Sequence, residues 1–332
     1  MANYYGIPDS ANNPFNGIGQ VVQGSTLCSA FAISSTVVLT AAHCVLGSST
    51  PVVTFWVSDG LGGNGVVAAN YSPVAFVANP LFDLQQPDNG FDIAVLRFNA
   101  GDLPNDLQTY PIYQSGSLIG MDFELFGRGL CGTALGGVDP SGTPCADGND
   151  LHRAANRYDA VLSNRVLLYD FVESSSLTRN VNGVDCPVTS ALCEIYQEVF
   201  PDKDLDPNLG SKEGIPIYGD SGGPSLIKIG NSYYSVGLHS FVGCTSDPCK
   251  NPPDAHVSTT GIPDGSFGEF AGDTALILYT DFIAEAGIPE PSSISLMGIG
   301  LSGIIGLTWK RMLQSNPLRH GQSSSAGREI TK

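Results

Sequence analysis

Charge is what this sequence has least of: 14% of its residues are charged, and Lys and Arg together number 15 against 32 Asp and Glu. A net charge of −17 excludes a partner held by phosphate neutralisation, which needs clustered basic side chains. No nucleic-acid partner is expected, and the acidic surface fits a soluble exported monomer. No Cys-x-x-Cys unit occurs, so the usual zinc-site spacing is missing. The eight cysteines instead read as four disulfides formed in an oxidising compartment. Proximity pairs Cys131 with Cys145, Cys186 with Cys193, and Cys244 with Cys249. A signal peptide is also not visible, because Met1 to Ser10 has neither a basic start nor an apolar centre. With export favoured on other grounds, the expectation is a start placed too far downstream or a trimmed chain.

Turn formers, by contrast, are abundant. Forty Gly and 22 Pro separate short runs rich in Val, Ile, Thr and aromatic residues, the composition of many strands joined by turns. Strands are expected at Val21-Val22, Ala30 to Ile33, Val37 to Thr40, Val52 to Val57, Ile93 to Phe98, Phe123 to Phe126, Ser225 to Ile229 and Tyr233 to Leu238. Between Asp273 and Ala286 the apolar residues Leu276, Tyr279, Phe282 and Ile283 fall at helical spacing, and Gly287 stops the pattern. The fold class is all-β with a C-terminal helix. Residues 1–15 read as a leader or extension, and 16–288 as the globular body.

After Gly287 the character changes. Pro289-Glu290-Pro291 is followed by Ser292 to Trp309, a stretch almost free of charge and at the short end of bilayer-spanning length, and then by Lys310-Arg311. Basic residues directly after an apolar stretch mark a membrane stop with a cytoplasmic end. This arrangement, residues 289–311, resembles the PEP-CTERM sorting signal of Gram-negative bacteria. The resemblance implies a tail helix transiently anchored in the inner membrane, processing by an exosortase, and delivery to the cell surface, outer membrane or extracellular matrix. Such signals end soon after the basic cluster, whereas this chain continues through 312–332, a Ser-rich stretch of disordered composition.

Three segments of the body belong together: Leu39-Thr40-Ala41-Ala42-His43-Cys44, Phe91-Asp92-Ile93-Ala94-Val95-Leu96, and Gly219-Asp220-Ser221-Gly222-Gly223-Pro224. Each alone is ordinary: a structural histidine, a turn aspartate, a tight glycine loop. In the order His, Asp, Ser they form a chemical set. A serine hydroxyl needs a base within hydrogen-bond reach, and His43 is the side chain that can serve near neutral pH. Asp92 would hold the imidazole in one tautomer, and the backbone N–H groups of Gly219 and Ser221 would stabilise an oxyanion.

On these residues the chain resembles the trypsin-like and chymotrypsin-like serine proteases from about Asn16 to Ile288. The resemblance implies two six-stranded antiparallel Greek-key barrels and a serine endopeptidase that cleaves protein or peptide substrates through an acyl-enzyme on Ser221. It also implies a Cys28–Cys44 disulfide, a glycine-flanked strand at Phe126-Gly127-Arg128-Gly129, and Ser240 as the serine that contacts the catalytic aspartate. Carried over to the substrate pocket, it places Ile215 on the floor and Ser240, Phe241 and Val242 along a wall. With no acid at Ile215 and Val242 narrowing the space, cleavage after small or aliphatic residues is expected. His239 reads as a neighbour without catalytic duty, and His152 and His256 as surface residues.

Two departures from the family pattern stand out. No activating N-terminal segment precedes Ile18, so Asp220 needs a partner other than a new terminal amine, and Ile217 stands where the family often has a cysteine. Outside the triad, Asp202, Asp204, Asp206, Asn208 and Glu213 match the oxygen-ligand positions of a calcium loop, but Pro207 replaces the glycine such a loop requires. No cofactor is expected, with calcium as a weak candidate. The alternative to an enzyme is a catalytically inactive protease-like module displayed at the cell surface.

Overall fold

A computed structural model describes residues 4–10, 13–61, 65–133, 137–138, 151–171, 209, 212–244, 263, 265–266 and 269–287. They belong to one unit, Met1–Gly287. The tail of residues 289–332, the acidic positions 202–208, His256 and four cysteines (Cys145, Cys186, Cys193 and Cys249) lie outside the described residues. Among the described residues no helix is long and apolar enough to cross a membrane.

The β-branched runs become strands of two antiparallel sheets. The first contains β2 (Ile18–Gln23), β3 (Thr26–Ala32), β4 (Val37–Thr40), β5 (Val52–Ser58), β6 (Val66–Tyr71), β7 (Ala75–Ala78) and β8 (Ala94–Arg97). Their order across the sheet is β6-β5-β2-β3-β4-β8-β7. Ile18, Phe31, Val38, Leu39, Phe55, Ile93 and Leu96 are shielded completely from solvent in its core. The second sheet is built from β1 (Tyr5–Ile7), β9 (Asp122–Gly127), β12 (Leu151–Arg157), β13 (Ala160–Leu162), β14 (Val166–Phe171), β15 (Pro224–Ile229), β16 (Ser232–Cys244) and β17 (Glu269–Ala275). Its order is β1-β12-β9-β15-β16-β17-β14-β13, and a small ribbon of β10 (Gly132–Thr133) and β11 (Gly137–Val138) stands apart. Phe123, Leu125, Tyr158, Tyr169 and Phe171 fill the second core, with Phe123 and Tyr158 stacked at 4.0 Å.

The sheets have seven and eight strands where six each were expected. One addition is β1, inside the span read as a leader, which pairs with β12 from Tyr5↔Arg153 to Ile7↔Leu151. Strand β12 itself has no β-branched residue, so local propensity does not announce it. It is a strand because six residues pair with β9 on one side while β1 covers the other. The C-terminal helix also starts later than its periodicity predicts. Asp273 to Ala275 still belong to β17, a 3-10 turn covers Leu276–Tyr279, and helix α1 runs over Thr280–Gly287. The reason is tertiary: Asp273 is fully buried and receives hydrogen bonds from four side chains, which holds its backbone in the sheet.

Two devices tie the sheets together. Phe15 joins the first core while its ring packs on Phe126 of β9 at 4.5 Å and on Tyr233 of β16 at 5.0 Å. Burial of such a ring stabilises by roughly 2 kcal/mol. Arg128, just after β9, has a completely buried guanidinium. It donates to Ile18 O at 2.8 Å, lies 3.7 Å over the Trp56 ring, and makes a two-pronged contact with the Asp9 carboxylate at 2.8 and 3.2 Å. Removing the anion strands a buried cation, which costs far more than losing a surface pair. Asp9→Asn is therefore expected to lower unfolding free energy by about 3 kcal/mol, measured by urea denaturation, whereas the exposed pair partner change Asp122→Asn is expected to shift it by less than about 1 kcal/mol.

Candidate active site

His43, Asp92 and Ser221 sit on three different connections. His43 lies in the 3-10 turn Ala42–Val45 directly after β4. The Cys28–Cys44 disulfide, closing a sequence separation of 16, ties that turn back to β3. Asp92 precedes β8, in a loop fastened from behind by the C-terminal segment. Tyr279 donates its hydroxyl to Gly90 O, and its ring meets Phe91 edge-on at 6.3 Å. Burial pushes the Tyr279 phenol up to about 12, so it remains a donor at working pH. Ser221 occupies the turn before β15.

Asp92 is completely buried, and its carboxylate collects three donors. Oδ1 accepts the His43 backbone N–H at 3.0 Å; Oδ2 accepts His43 Nδ1–H at 2.7 Å and the Ser240 hydroxyl at 2.6 Å. Thr274 Oγ1 donates to the Asp92 carbonyl at 3.1 Å, so β17 also fixes the loop. A carboxylate can only accept, which assigns the proton of His43 to Nδ1 and leaves Nε2 as the free base. One carboxylate therefore holds both the backbone and the ring of His43. His43 and Ser221 line the same cleft, of about 280 Å³. No hydrogen bond joins their side chains in this substrate-free form, in which such catalytic bonds are often long.

The nucleophile turn is shaped by close approach. Gly222 has φ +81, and a Cβ there would lie 2.3 Å from Thr40 Oγ1 and 2.5 Å from Ser29 O. Only glycine fits. The buried Ser29 stitches the turn to the first sheet: its N–H donates to Ser221 O at 2.8 Å, and its hydroxyl donates to Gly219 O at 2.9 Å while accepting Arg128 N–H at 2.9 Å. Tyr218 O accepts Leu130 N–H at 2.8 Å. Because N–H and C=O of a trans peptide point in opposite directions, this turns Gly219 N–H away from Leu130. Among the described residues the N–H groups of Gly219 and Ser221 have no acceptor, the condition for an oxyanion hole.

Asp220, whose partner the sequence left open, is completely buried and accepts Gly129 N–H on Oδ1 and Ile217 N–H on Oδ2, both at 2.9 Å. The glycine-flanked strand makes room for it, since a Cβ on Gly127 would lie 2.0 Å from Asp220 Oδ1. Backbone amides of two described residues thus contribute to holding this carboxylate.

Of the expected pocket residues, Ser240, Phe241 and Val242 on β16 line the cleft, joined by Pro216-Ile217-Tyr218, Pro263 and Gly265. Ile215 does not. It is completely buried in the second core, because Glu213 and Gly214 bridge to Ala155 of β12 and seat the next side chain inside the sheet. Glu213, the fifth calcium candidate, is itself buried at that bridge. His152 is also not a surface residue. Strand β1 covers it, Tyr4 packs edge-on against it at 4.3 Å, and Cys131 Sγ is 3.4 Å from its Nε2. Cys131 is disulfide-bonded. His239, expected to be a neighbour without catalytic duty, lines the cleft next to Ser240.

Removing the staple behind His43 has a defined expectation. Cys28→Ser with Cys44→Ser is expected to lower thermal stability by the equivalent of about 3 kcal/mol, read by calorimetry under non-reducing conditions.

Comparison with known proteins bears on the fold. Residues 8–138 match the family model Trypsin, a span that includes His43 and Asp92 and stops short of Ser221. No curated protein matches the chain. Among solved structures, HL collagenase superposes with a TM-score of 0.51 at 16% identity, covering 87% of this chain and 100% of its own. The body of this protein therefore has the chymotrypsin-like fold, and over its first sheet its sequence is similar to the trypsin family.

Proposed function

We propose that the protein is a serine endopeptidase in which Ser221 attacks a peptide carbonyl and is acylated. The observation that carries this reading is the bond set on Asp92, which leaves His43 with an unprotonated Nε2 in the same cleft as Ser221. The steps follow from the residues. His43 takes the Ser221 proton as Oγ bonds to the carbonyl carbon, and Asp92 steadies the imidazolium. The N–H groups of Gly219 and Ser221 face the oxyanion. His43 then returns the proton to the leaving amine, and water hydrolyses the ester by the same route in reverse.

The Asp220 bonds to Gly129 and Ile217 support an oxyanion turn that is shaped without a newly made N-terminus. The preference for small or aliphatic residues expected from Ile215 loses that residue, and the cleft chemistry rests on Ile217, Phe241, Val242 and His239 instead. Export to a Gram-negative cell surface, with exosortase processing at residues 289–311, is proposed on the tail sequence alone.

A fluorophosphonate probe is expected to label the disulfide-bonded protein and not Ser221→Ala; an unlabelled wild type would favour the inactive module. Asp92→Asn is expected to lower kcat roughly 10⁴-fold while the far-ultraviolet circular dichroism stays unchanged.

A further inference from the structure

His239 is 1% exposed and lines the cleft with Ser221. Its Nδ1 is engaged with Asp273 Oδ1 at 2.9 Å, which fixes the ring. Its Nε2 is the one buried side-chain nitrogen or oxygen among the described residues that has no hydrogen-bond partner. Leaving such an atom unpaired is costly, so it calls for a partner from outside the described residues, and in a cleft a ligand can supply it. The Cδ2 side of the ring, next to Nε2, faces the nucleophile turn: a Cβ on Gly223 would lie 3.0 Å from His239 Cδ2.

The polar surroundings of the ring decide which ligand group fits. Asp273 is completely buried and accepts the hydroxyls of Tyr158 at 2.7 Å, Tyr169 at 3.0 Å and Ser225 at 2.5 Å in addition to His239. Burial, with Asp273 beside them, pushes both phenols well above the usual tyrosine range, so they act only as neutral donors. Among the described residues, His239 is the only side chain in salt-bridge reach of Asp273 that can carry positive charge. As with His43 on Asp92, the Asp273 carboxylate takes the Nδ1–H and leaves Nε2 as the open position. A ligand carboxylate completes it through a charge-assisted N–H···O⁻ bond, with the second proton drawn from solvent, because an anion on either side of the ring favours its charged form.

We infer that His239 determines the primary specificity of the cleft by hydrogen-bonding the side-chain carboxylate of a Glu or Asp whose own carbonyl Ser221 attacks. This rests on the endopeptidase reading and deepens it. Among the described residues no Asp, Glu, Lys or Arg lines the cleft, so a basic side chain finds no counter-charge among them. Ile217, Phe241 and Val242 pack against the methylenes of the acidic side chain and exclude water, which strengthens the charged contact. Tyr158, Tyr169 and Ser225 share the charge of Asp273, which leaves His239 able to serve a second carboxylate.

The test compares acetylated tetrapeptide anilides that differ only in Glu, Gln, Leu or Arg at the cleavage site, with Ser221 titrated independently by a fluorophosphonate. Glu is expected to exceed its isostere Gln in kcat/KM by roughly 10- to 100-fold, the range of a charge-assisted hydrogen bond. His239→Gln is expected to bring that ratio close to one, with folding checked by circular dichroism. A peptide product ending in Glu is expected to inhibit the wild type competitively, and its Gln counterpart much less. Equal cleavage after Glu and Gln, or a preference for Leu or Arg, in a fully labelled wild type would overturn the role of His239 while leaving the endopeptidase reading intact. A wild type that takes no label would overturn both.

Discussion

The site depends above all on the contact between the two sheets at Ser29. That side chain and its backbone hold Gly219 O, Ser221 O and Arg128 N–H at once, so the nucleophile turn of one sheet is fastened to the strand that carries the Cys28–Cys44 staple in the other. A hydroxyl completely removed from water must use its donor and acceptor capacity internally. Here both are used, and the two halves of the triad are kept in one register. Gly222 is the geometric price of that closeness, since any Cβ would collide with Thr40 and Ser29.

Around this seam the molecule concentrates buried acids. Asp92, Asp220 and Asp273 are all completely shielded, and each is answered in a different way. Asp92 is met by His43 and Ser240, Asp220 by two backbone amides, and Asp273 by three hydroxyls and His239. A buried carboxylate is tolerable only when its acceptor sites are filled, and each set of donors immobilises whatever supplies it. In this way Asp92 orients His43, Asp220 holds the turn from Gly219 to Ser221, and Asp273 positions His239 in the cleft. Strands β16 and β17 link the first and third of these through the adjacent residues His239 and Ser240 and through Thr274.

The sequence announces the strands with β-branched cores, and those could be read directly; its three motifs point to His43, Asp92 and Ser221, of which the fold bonds the first two and sets His43 and Ser221 on one cleft. Strand β4 runs over the predicted Val37 to Thr40, and β5 over Val52–Ser58 contains Val52 to Val57. Strand β12 could not be read, because Leu151-His152-Arg153-Ala154-Ala155-Asn156-Arg157 is a strand only by virtue of its neighbours β1 and β9. The helix was placed too early for a related reason: the apolar spacing after Asp273 is helical, but the buried donors on Asp273 outweigh a few tenths of a kcal/mol per residue of local propensity.

Motif chemistry is local in the sequence, so residue identity and order alone single out His43, Asp92 and Ser221 as a candidate set. Their mutual geometry, the partners of Asp220 and the lining of the cleft are not local. Ile215 and His239 show the difference. A spacing from Ser221 assigned the first to the pocket, and packing against β12 took it into the core. Nothing in the sequence near the second marked it, because Asp273 reaches it, and Tyr158, Tyr169 and Ser225 reach Asp273, only after separate stretches of chain have folded into one sheet.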